Sequence, residues 1–392
     1  MKKWFCFLLF ISLWIGNFLA AQEIVQGVNG YISWQKGNLP IVISVPHGGN
    51  LTPADIPNRT CFDAVTVTDF NTIQVAQQLN QALFEYTGCY PHIVYCHLKR
   101  TKLDCNRNLA EGACANPAAS NAWQEFHDFI AMAQDDALQQ HGNNIFFIDL
   151  HGHGNNIQRI ELGYLLYDDE LALADALLNT PQYIQYSSIQ QLAGNNQTNA
   201  SHAQLLRGPT ALGTLLGNKG YPSVPSQQIP APGLNTNYFS GGYITANHTC
   251  FNDENEVNGV QMELNYTGIR DNANNIQRFA DSLALVLTDY ILTHFETTSI
   301  ACHLSVETTT PYGTQEGVFP NPLPPNTTSV QLQQRLTNGS FSLFNSSGKR
   351  IFHGTLVNGK ASWGSSLPGG LYFLVIYHEE HLKSTVYRIV ML

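Results

Sequence analysis

Residues 146–154 read FFIDLHGHG. An apolar run of strand character stops at Asp149-Leu150-His151, and a second histidine follows between two glycines. Such a short, near-continuous apolar run marks a strand covered on both faces of its sheet. Two other runs end comparably. IVISVP (41–46) leads into His47, Gly48 and Gly49, and VQMEL (260–264) carries Glu263 near its carboxyl end. Further strand-like runs are HIVYCHL (92–98) and ELGYLLY (161–167), and helical periodicity fills 72–86, 122–140, 170–178, 202–216 and 273–294.

That alternation predicts an α/β domain with a mixed, largely parallel sheet and helices on both faces. Reactive groups in such sheets gather at the carboxyl ends of the strands. The pattern changes after residue 295. A Thr-rich stretch without helical period reads as a linker over 296–316. Beyond it, SVQLQQ, GSFSLFN, RIFHGTL, GLYFLVIY and STVYRIVML are separated by turn signals such as NSSGK, VNGK and PGG. Residues 317–392 are therefore expected to form a small all-β sandwich.

The chain has 392 residues, 43% of them hydrophobic, enough for a full core and for more than one domain. Charged residues make up only 12% and the formal net charge is −10. No basic run tracks phosphates, so nucleic acid is excluded as a partner. The opening MKKWFCFLLFISLWIGNFLAAQ has two lysines, an apolar core and small residues at its end. It reads as a signal peptide over 1–21, followed by a domain over 22–295. No later stretch is apolar enough to span a bilayer. Beyond Cys6 lie Cys61, Cys89, Cys96, Cys105, Cys114, Cys250 and Cys302. In an oxidising compartment some of these pair; Cys105 with Cys114, and Cys61 or Cys89 with Cys96, are candidate staples. No CxxC occurs, which disfavours a thiolate zinc site.

His47, His151 and Glu263 thus converge at the ends of separate buried strands, with glycines expected to let a ligand approach the backbone. Neutral imidazoles suit zinc, and a catalytic zinc keeps about three protein ligands and an open position. A neighbouring carboxylate can then take the proton from water attacking a carbonyl. Asp69 and Asp149 are candidates for a third ligand or for orienting an imidazole, and His153 is a bystander. In HLKRTKLDCNRNL (97–109), Arg100, Asp104 and Arg107 lie close together. Their guanidinium groups suit a substrate carboxylate or a developing oxyanion, or a surface ion pair with Asp104. A serine hydrolase is unsupported, because no GxSxG elbow occurs.

PHGG (46–49), DCNR (104–107), DLHGHG (149–154), GGYIT (241–245) and QMELNY (261–266) occur in that order. Together they resemble the N-formylglutamate amidohydrolase family, a branch of the zinc carboxypeptidase-like α/β fold, over about residues 41–292. The resemblance implies that His47 and His151 ligate zinc and that Glu263 is the general base. It further implies that Arg107, beside Asn106, holds a substrate carboxylate, that Arg100 polarises the scissile carbonyl, and that the segment of Gly242 and Tyr243 walls the pocket. Zinc carboxypeptidases carry a glutamate ligand where this chain has Asn50; Asp69 resembles the acidic position of the amidohydrolase branch and is the third ligand proposed. Tyr266 stands where the family more often has arginine. The tail, from VFPNPLPP through LFNSSGKRIF and LPGGLYFLVIY to STVYRIVML, resembles the C-terminal sorting domain of Bacteroidetes type IX secretion, with Arg388 where a lysine is usual. These likenesses imply a secreted or surface zinc amidohydrolase acting on a small molecule or peptide that bears a carboxylate, exported by the type IX machinery. A carboxypeptidase or cell-wall amidase on the same fold, and a surface binding protein without catalysis, are the alternatives.

Overall fold

The structure is a computed structural model and describes residues 22–234, 236–252, 255–297, 323–324, 326–332, 338–345, 350–378 and 383–391. The expected signal peptide, nearly all of the 296–316 linker and Cys302 lie outside these residues. Two units divide the chain, Met1–Ser305 and Val306–Leu392.

Eight strands form the sheet of the first unit: β1 (Ile24–Gln26), β2 (Ile32–Gln35), β3 (Ile41–Val45), β4 (His92–Cys96), β5 (Phe146–His153), β6 (Ile160–Gly163), β7 (Ser223–Val224) and β8 (Asn258–Asn265). Their order is β1-β2-β4-β3-β5-β8-β6-β7. The central strands β4, β3, β5 and β8 are parallel, while β2 and β6 run antiparallel to their inner neighbours. This is the mixed, largely parallel sheet the sequence predicts.

Long helices cover both faces. α1 (Thr72–Thr87) links β3 to β4; α2 (Leu109–Ala113) and α3 (Pro117–His141) link β4 to β5. Six short helices follow β6: α4 (Asp168–Leu171), α5 (Asp175–Leu178), α6 (Pro181–Gln185), α7 (Gln190–Asn195), α8 (His202–Arg207) and α9 (Leu212–Asn218). α10 (Tyr243–Asn247) precedes β8, and α11 (Ala273–His294) closes the unit. Local chemistry sets the ends of α3. The Asn116 side chain accepts from Ala119 N, Pro117 opens the first turn, and Gly142 stops the helix; the cap contributes about 1 kcal/mol.

Strand alternation explains how one run can be both core and site. On β5, Phe146, Ile148 and Leu150 face the cluster built with α1 and α11, where Leu79, Leu83, Phe279, Leu283 and Leu287 are buried. Each such side chain contributes about 1.5–3 kcal/mol by leaving water. The opposite face begins with Phe147, packed with Val42, Val94, Phe126 and Ile130 on the α3 side. It continues with Asp149, His151 and His153, because side chains alternate with period two. β8 repeats the plan: Val260, Met262 and Leu264 are core, whereas Gln261, Glu263 and Asn265 share the face of Asp149, His151 and His153 through the register Asp149↔Gln261, His151↔Glu263 and His153↔Asn265.

From β3 the chain crosses to β4 on one side, then returns past β3 to β5 on the other. In open α/β sheets such a reversal marks the carboxyl ends of the two flanking strands, here β3 and β5, as the place where ligands bind.

Three predicted elements are interrupted. The strand over 161–167 ends at Gly163, because the chain at Ser240 and Gly241 crosses there; a Cβ on Gly163 would lie 2.5 Å from Gly241 N. Helix 170–178 is split into α4 and α5, since Arg207 donates to the carbonyls of Leu171 and Leu173 and pairs with Asp175. Helix 202–216 breaks at Gly208-Pro209 into α8 and α9, as proline cannot continue the backbone ladder.

The second unit is all β. β9 (Ser329–Gln331), β10 (Asn338–Asn345), β11 (Arg350–Val357), β12 (Lys360–Ser362), β13 (Gly370–His378) and β14 (Lys383–Met391) form one antiparallel sheet in the order β14-β13-β10-β11-β12-β9. Leu323 bridges Met391 at one edge, and six residues later Ser329 pairs with Ser362 at the other. Flat strands at about 4.8 Å spacing would separate those edges by about 29 Å, yet six residues reach only about 21 Å. The sheet therefore curls, enclosing Phe341, Leu343, Leu356, Trp363, Leu374 and Ile376.

Candidate functional site

His47 leaves the end of β3, and the following loop returns so that Asp69 N donates to His47 O at 3.1 Å. His151 comes from the last turn of pleat on β5. His47, Asp69 and His151 thereby meet in one buried group whose ligand atoms all lie within 4.8 Å of one another. Asn50, three residues after His47, is exposed and plays no part.

Each histidine is fixed from behind by a carboxylate. His47 Nε2 donates to Asp104 Oδ1 at 2.7 Å, and His151 Nε2 donates to Asp149 Oδ2 at 2.9 Å. Asp149 Oδ1 accepts in turn from Ser44 Oγ at 2.8 Å. Such bonds to the far ring nitrogen choose the tautomer and turn both Nδ1 atoms inward. His151 Nδ1 lies 3.2 Å from Asp69 Oδ2, and His47 Nδ1 lies 3.4 Å from the same oxygen. Four donors around zinc at about 2.0–2.1 Å are about 3.3 Å apart in a tetrahedron, so both spacings fit that ion. His47 Nδ1 and Glu263 Oε2 are buried without a hydrogen-bond partner, and so are available to a bound group. Two imidazoles and a carboxylate suit zinc's preference for nitrogen and oxygen donors.

Glu263 sits beside His151 across the β5–β8 pairing. Its Oε1 accepts from Gln261 Nε2 at 3.3 Å. Burial, assisted by the nearby Asp69 and Asp149 and opposed by His151, pushes its carboxyl up to about 8. A cation alongside would draw it down again. Burial works against charge on His151, but Asp149, Asp69 and Glu263 outweigh it and hold the imidazole well above its ordinary value. Burial likewise opposes charge on Asp69, yet the hydrogen bond from His151 and the His47 imidazole nearby keep it below the ordinary carboxylate range.

The remaining predicted residues are placed unequally. Arg100 Nε donates to Asp104 Oδ2 at 3.0 Å, and its Nη1 is 3.8 Å from Asp69 Oδ1, so it borders the group while engaged with its carboxylates. Arg107 Nη1 donates to Asn106 O at 2.9 Å; among the described residues its other N–H groups make no bond. Asn106 Oδ1 accepts from Ile244 N at 2.9 Å, and its Nδ2 approaches Gln261 Oε1 at 3.4 Å. Asn106 Nδ2 also comes within 3.3 Å of His151 Nε2, but that nitrogen already donates to Asp149, so the approach is a contact between donors. A Cβ on Gly242 would strike the Asn106 amide at 2.4 Å. The Tyr243 ring packs against Trp123 and His127, at 5.9 and 5.6 Å between centroids.

Three of the four glycines flanking the histidines do a different job from the one expected, while Gly154 has open space beside it. The space a Cβ would take at Gly48 is filled by Thr72 and Ile73, at Gly49 by the His97 carbonyl, and at Gly152 by the guanidinium of Arg270. They admit the protein's own groups rather than a ligand. The cysteine pairing also differs: Cys61 is bridged to Cys114, Cys89 is disulfide-bonded as well, and Cys96 and Cys105 are buried free thiols.

Sequence reasoning missed several groups. Gln261 lies two residues along the inner face from Glu263, so strand period alone could have found it, whereas Ser44 lies three residues before His47 and carries no such signal. Asp104 was seen only as an arginine partner. Arg270 is the sole lysine or arginine between Lys219 and Arg278, which is a weak signal that something holds it there.

The chain matches no known family model and no curated protein. Among solved structures it is similar to an N-formylglutamate amidohydrolase from Ralstonia eutropha JMP134, with TM-score 0.39 and 13% identity over 65% of this chain and 95% of that one. A metallo-carboxypeptidase from Pseudomonas aeruginosa has TM-score 0.26 and 11% identity over 68% and 64% of the two chains. PorZ, a surface component of the type IX secretion system of Porphyromonas gingivalis, has TM-score 0.17 and 21% identity over 25% and 13%. At these scores the likenesses carry no inference about activity, and the chemistry rests on the side chains.

Proposed function

We propose that this protein is an exported zinc-dependent amidohydrolase. The observation that carries the reading is the inward-facing pair of imidazole Nδ1 atoms, each about one tetrahedral edge from Asp69 Oδ2 and each backed by its own carboxylate. His47, Asp69 and His151 would hold the ion. When bound, zinc supplies a Lewis acid for an amide carbonyl and makes neighbouring water more acidic.

The chain's own groups then divide the work. Glu263 takes a proton from the attacking water and returns it to the leaving amine. Arg100 lies within reach of the same carboxylates and supplies positive charge where the carbonyl oxygen becomes anionic. Arg107, with donors to spare, offers a fork for a substrate carboxylate. Such a substrate is an N-acyl amino acid, a peptide or a γ-glutamyl polymer. Export is supported by the lysine-led apolar start, by the tail motifs and by the Cys61–Cys114 disulfide, which suits an oxidising compartment. No helix of the described residues is long and apolar enough to cross a membrane.

The test is Glu263→Gln, assayed on amides with free carboxylates. The variant should bind zinc as the parent does and lose about 10²–10⁴-fold in kcat. Unchanged turnover in a zinc-loaded variant would remove Glu263 from the mechanism.

A further inference from the structure

Arg270 follows β8 by five residues and is 2% exposed. Its guanidinium makes no ion pair within the described residues; it bonds to three backbone carbonyls instead. Nε donates to Leu264 O at 3.2 Å, Nη2 donates to His153 O at 2.9 Å, and Nη1 donates to Phe70 O. Those carbonyls belong to three of the four segments that build the site, the fourth being that of His47. Leu264 follows Glu263, Phe70 follows Asp69, and His153 lies two residues beyond His151. The grip is returned, because Asn71 Nδ2 donates to Arg270 O at 2.7 Å.

Taking a cation out of water to bind only carbonyls is costly unless opposite charge lies near. Asp69 supplies part of it through space, though burial, the larger effect, still leaves the guanidinium below its ordinary value. Gly152 completes the slot: a Cβ there would sit 2.3 Å from Arg270 Cζ and 2.7 Å from Nε and Nη1. The backbone of Gly152 is ordinary strand, so the guanidinium, not the conformation, requires glycine between the two histidines.

We propose that Arg270 is the positioning residue of the metal site, a planar clamp that sets the spacing of the Asp69, His151 and Glu263 segments by holding their backbones. This rests on the zinc reading above. It assigns Arg270 no contact with substrate. Lysine cannot replace it, since one ammonium on a flexible stem does not present a rigid fork to three separated carbonyls.

The test measures zinc affinity of the full chain by competition with a chromophoric chelator, with folding checked by circular dichroism. Arg270→Ala and Arg270→Lys should each weaken binding about 10–100-fold, as outer partners of metal ligands do. Gly152→Ala, which forces the guanidinium out, should weaken it similarly in the parent and add little in the Arg270→Ala background. Guanidinium ion at non-denaturing concentration should restore affinity to Arg270→Ala, where ammonium should not. A folded Arg270→Ala with unchanged affinity would overturn the clamp alone. If Arg270→Ala fails to fold, Gly152→Ala decides, and unchanged affinity there overturns the clamp. A parent chain that binds no zinc would overturn the metal reading and the clamp together.

Discussion

His151 shows how much of the site is decided by single side chains. Asp149 holds one of its ring nitrogens and Asp69 faces the other, and in the metal-free chain these carboxylates keep the ring protonated against the cost of burial. To ligate, Nδ1 must give up that proton. Zinc binding at pH 7 should therefore release at least one proton per site and weaken as pH falls. Calorimetry in buffers of different ionisation enthalpy reads this directly, and buffer-independent heats would contradict it. The residues that could be read from sequence were those whose type and place coincide: His47, His151 and Glu263 stand at strand ends. Asp69 was harder, because it reaches His47 only through a loop of more than twenty residues whose return is fixed by a backbone hydrogen bond. Arg270 could not be read, since its partners are carbonyls, and carbonyls leave no trace in a sequence.

At the scale of elements, the strands and long helices follow from apolar period and capping residues, and α11 matches its predicted span residue for residue. Two of the three failures are where another segment intrudes, Gly241 against Gly163 and Arg207 between α4 and α5; the third, the break at Gly208-Pro209, stood in the sequence itself. Packing between elements also sets acid stability. His127 Nε2 donates to Cys105 O, and His248 Nε2 donates to His127 Nδ1 at 2.7 Å, so α3 is tied to the end of α10 by two neutral rings stacked at 5.0 Å. Burial pushes His127 and His92 down to about 4 and His248 to about 3. The native state thus refuses protons that the unfolded chain takes up below about 6.5. Stability should fall as pH drops from about 6.5 towards 4, by on the order of 3 kcal/mol for each such histidine. Asp69 and Asp104, held below the ordinary carboxylate range by their cationic and histidine partners despite burial, stabilise the fold above their unfolded values and lose that contribution only at lower pH. Urea unfolding of the metal-free chain at pH 7, 5.5 and 4 separates the two windows, and a flat midpoint between 7 and 4 would contradict the neutral-histidine account.

For the whole molecule, topology brings the pieces together. The chain reverses at β3, and Asp149, His151 and Glu263 from the neighbouring β5 and β8 meet His47, which leaves β3, at the carboxyl ends of these strands. The α/β class and the all-β tail were legible because period and turn residues are local. How the tail sheet curls to bring its edges together was not, because that depends on a pairing between Leu323 and Met391 far apart in sequence.

Everything proposed about chemistry depends on a metal at His47, Asp69 and His151. Elemental analysis of the full chain after gel filtration, beside a His47→Ala His151→Ala variant shown to be folded, measures this most directly. Near one zinc per chain in the parent and near none in the variant is the predicted result. A folded parent that holds no zinc after the metal has been supplied, or a variant that holds as much as the parent, would contradict it.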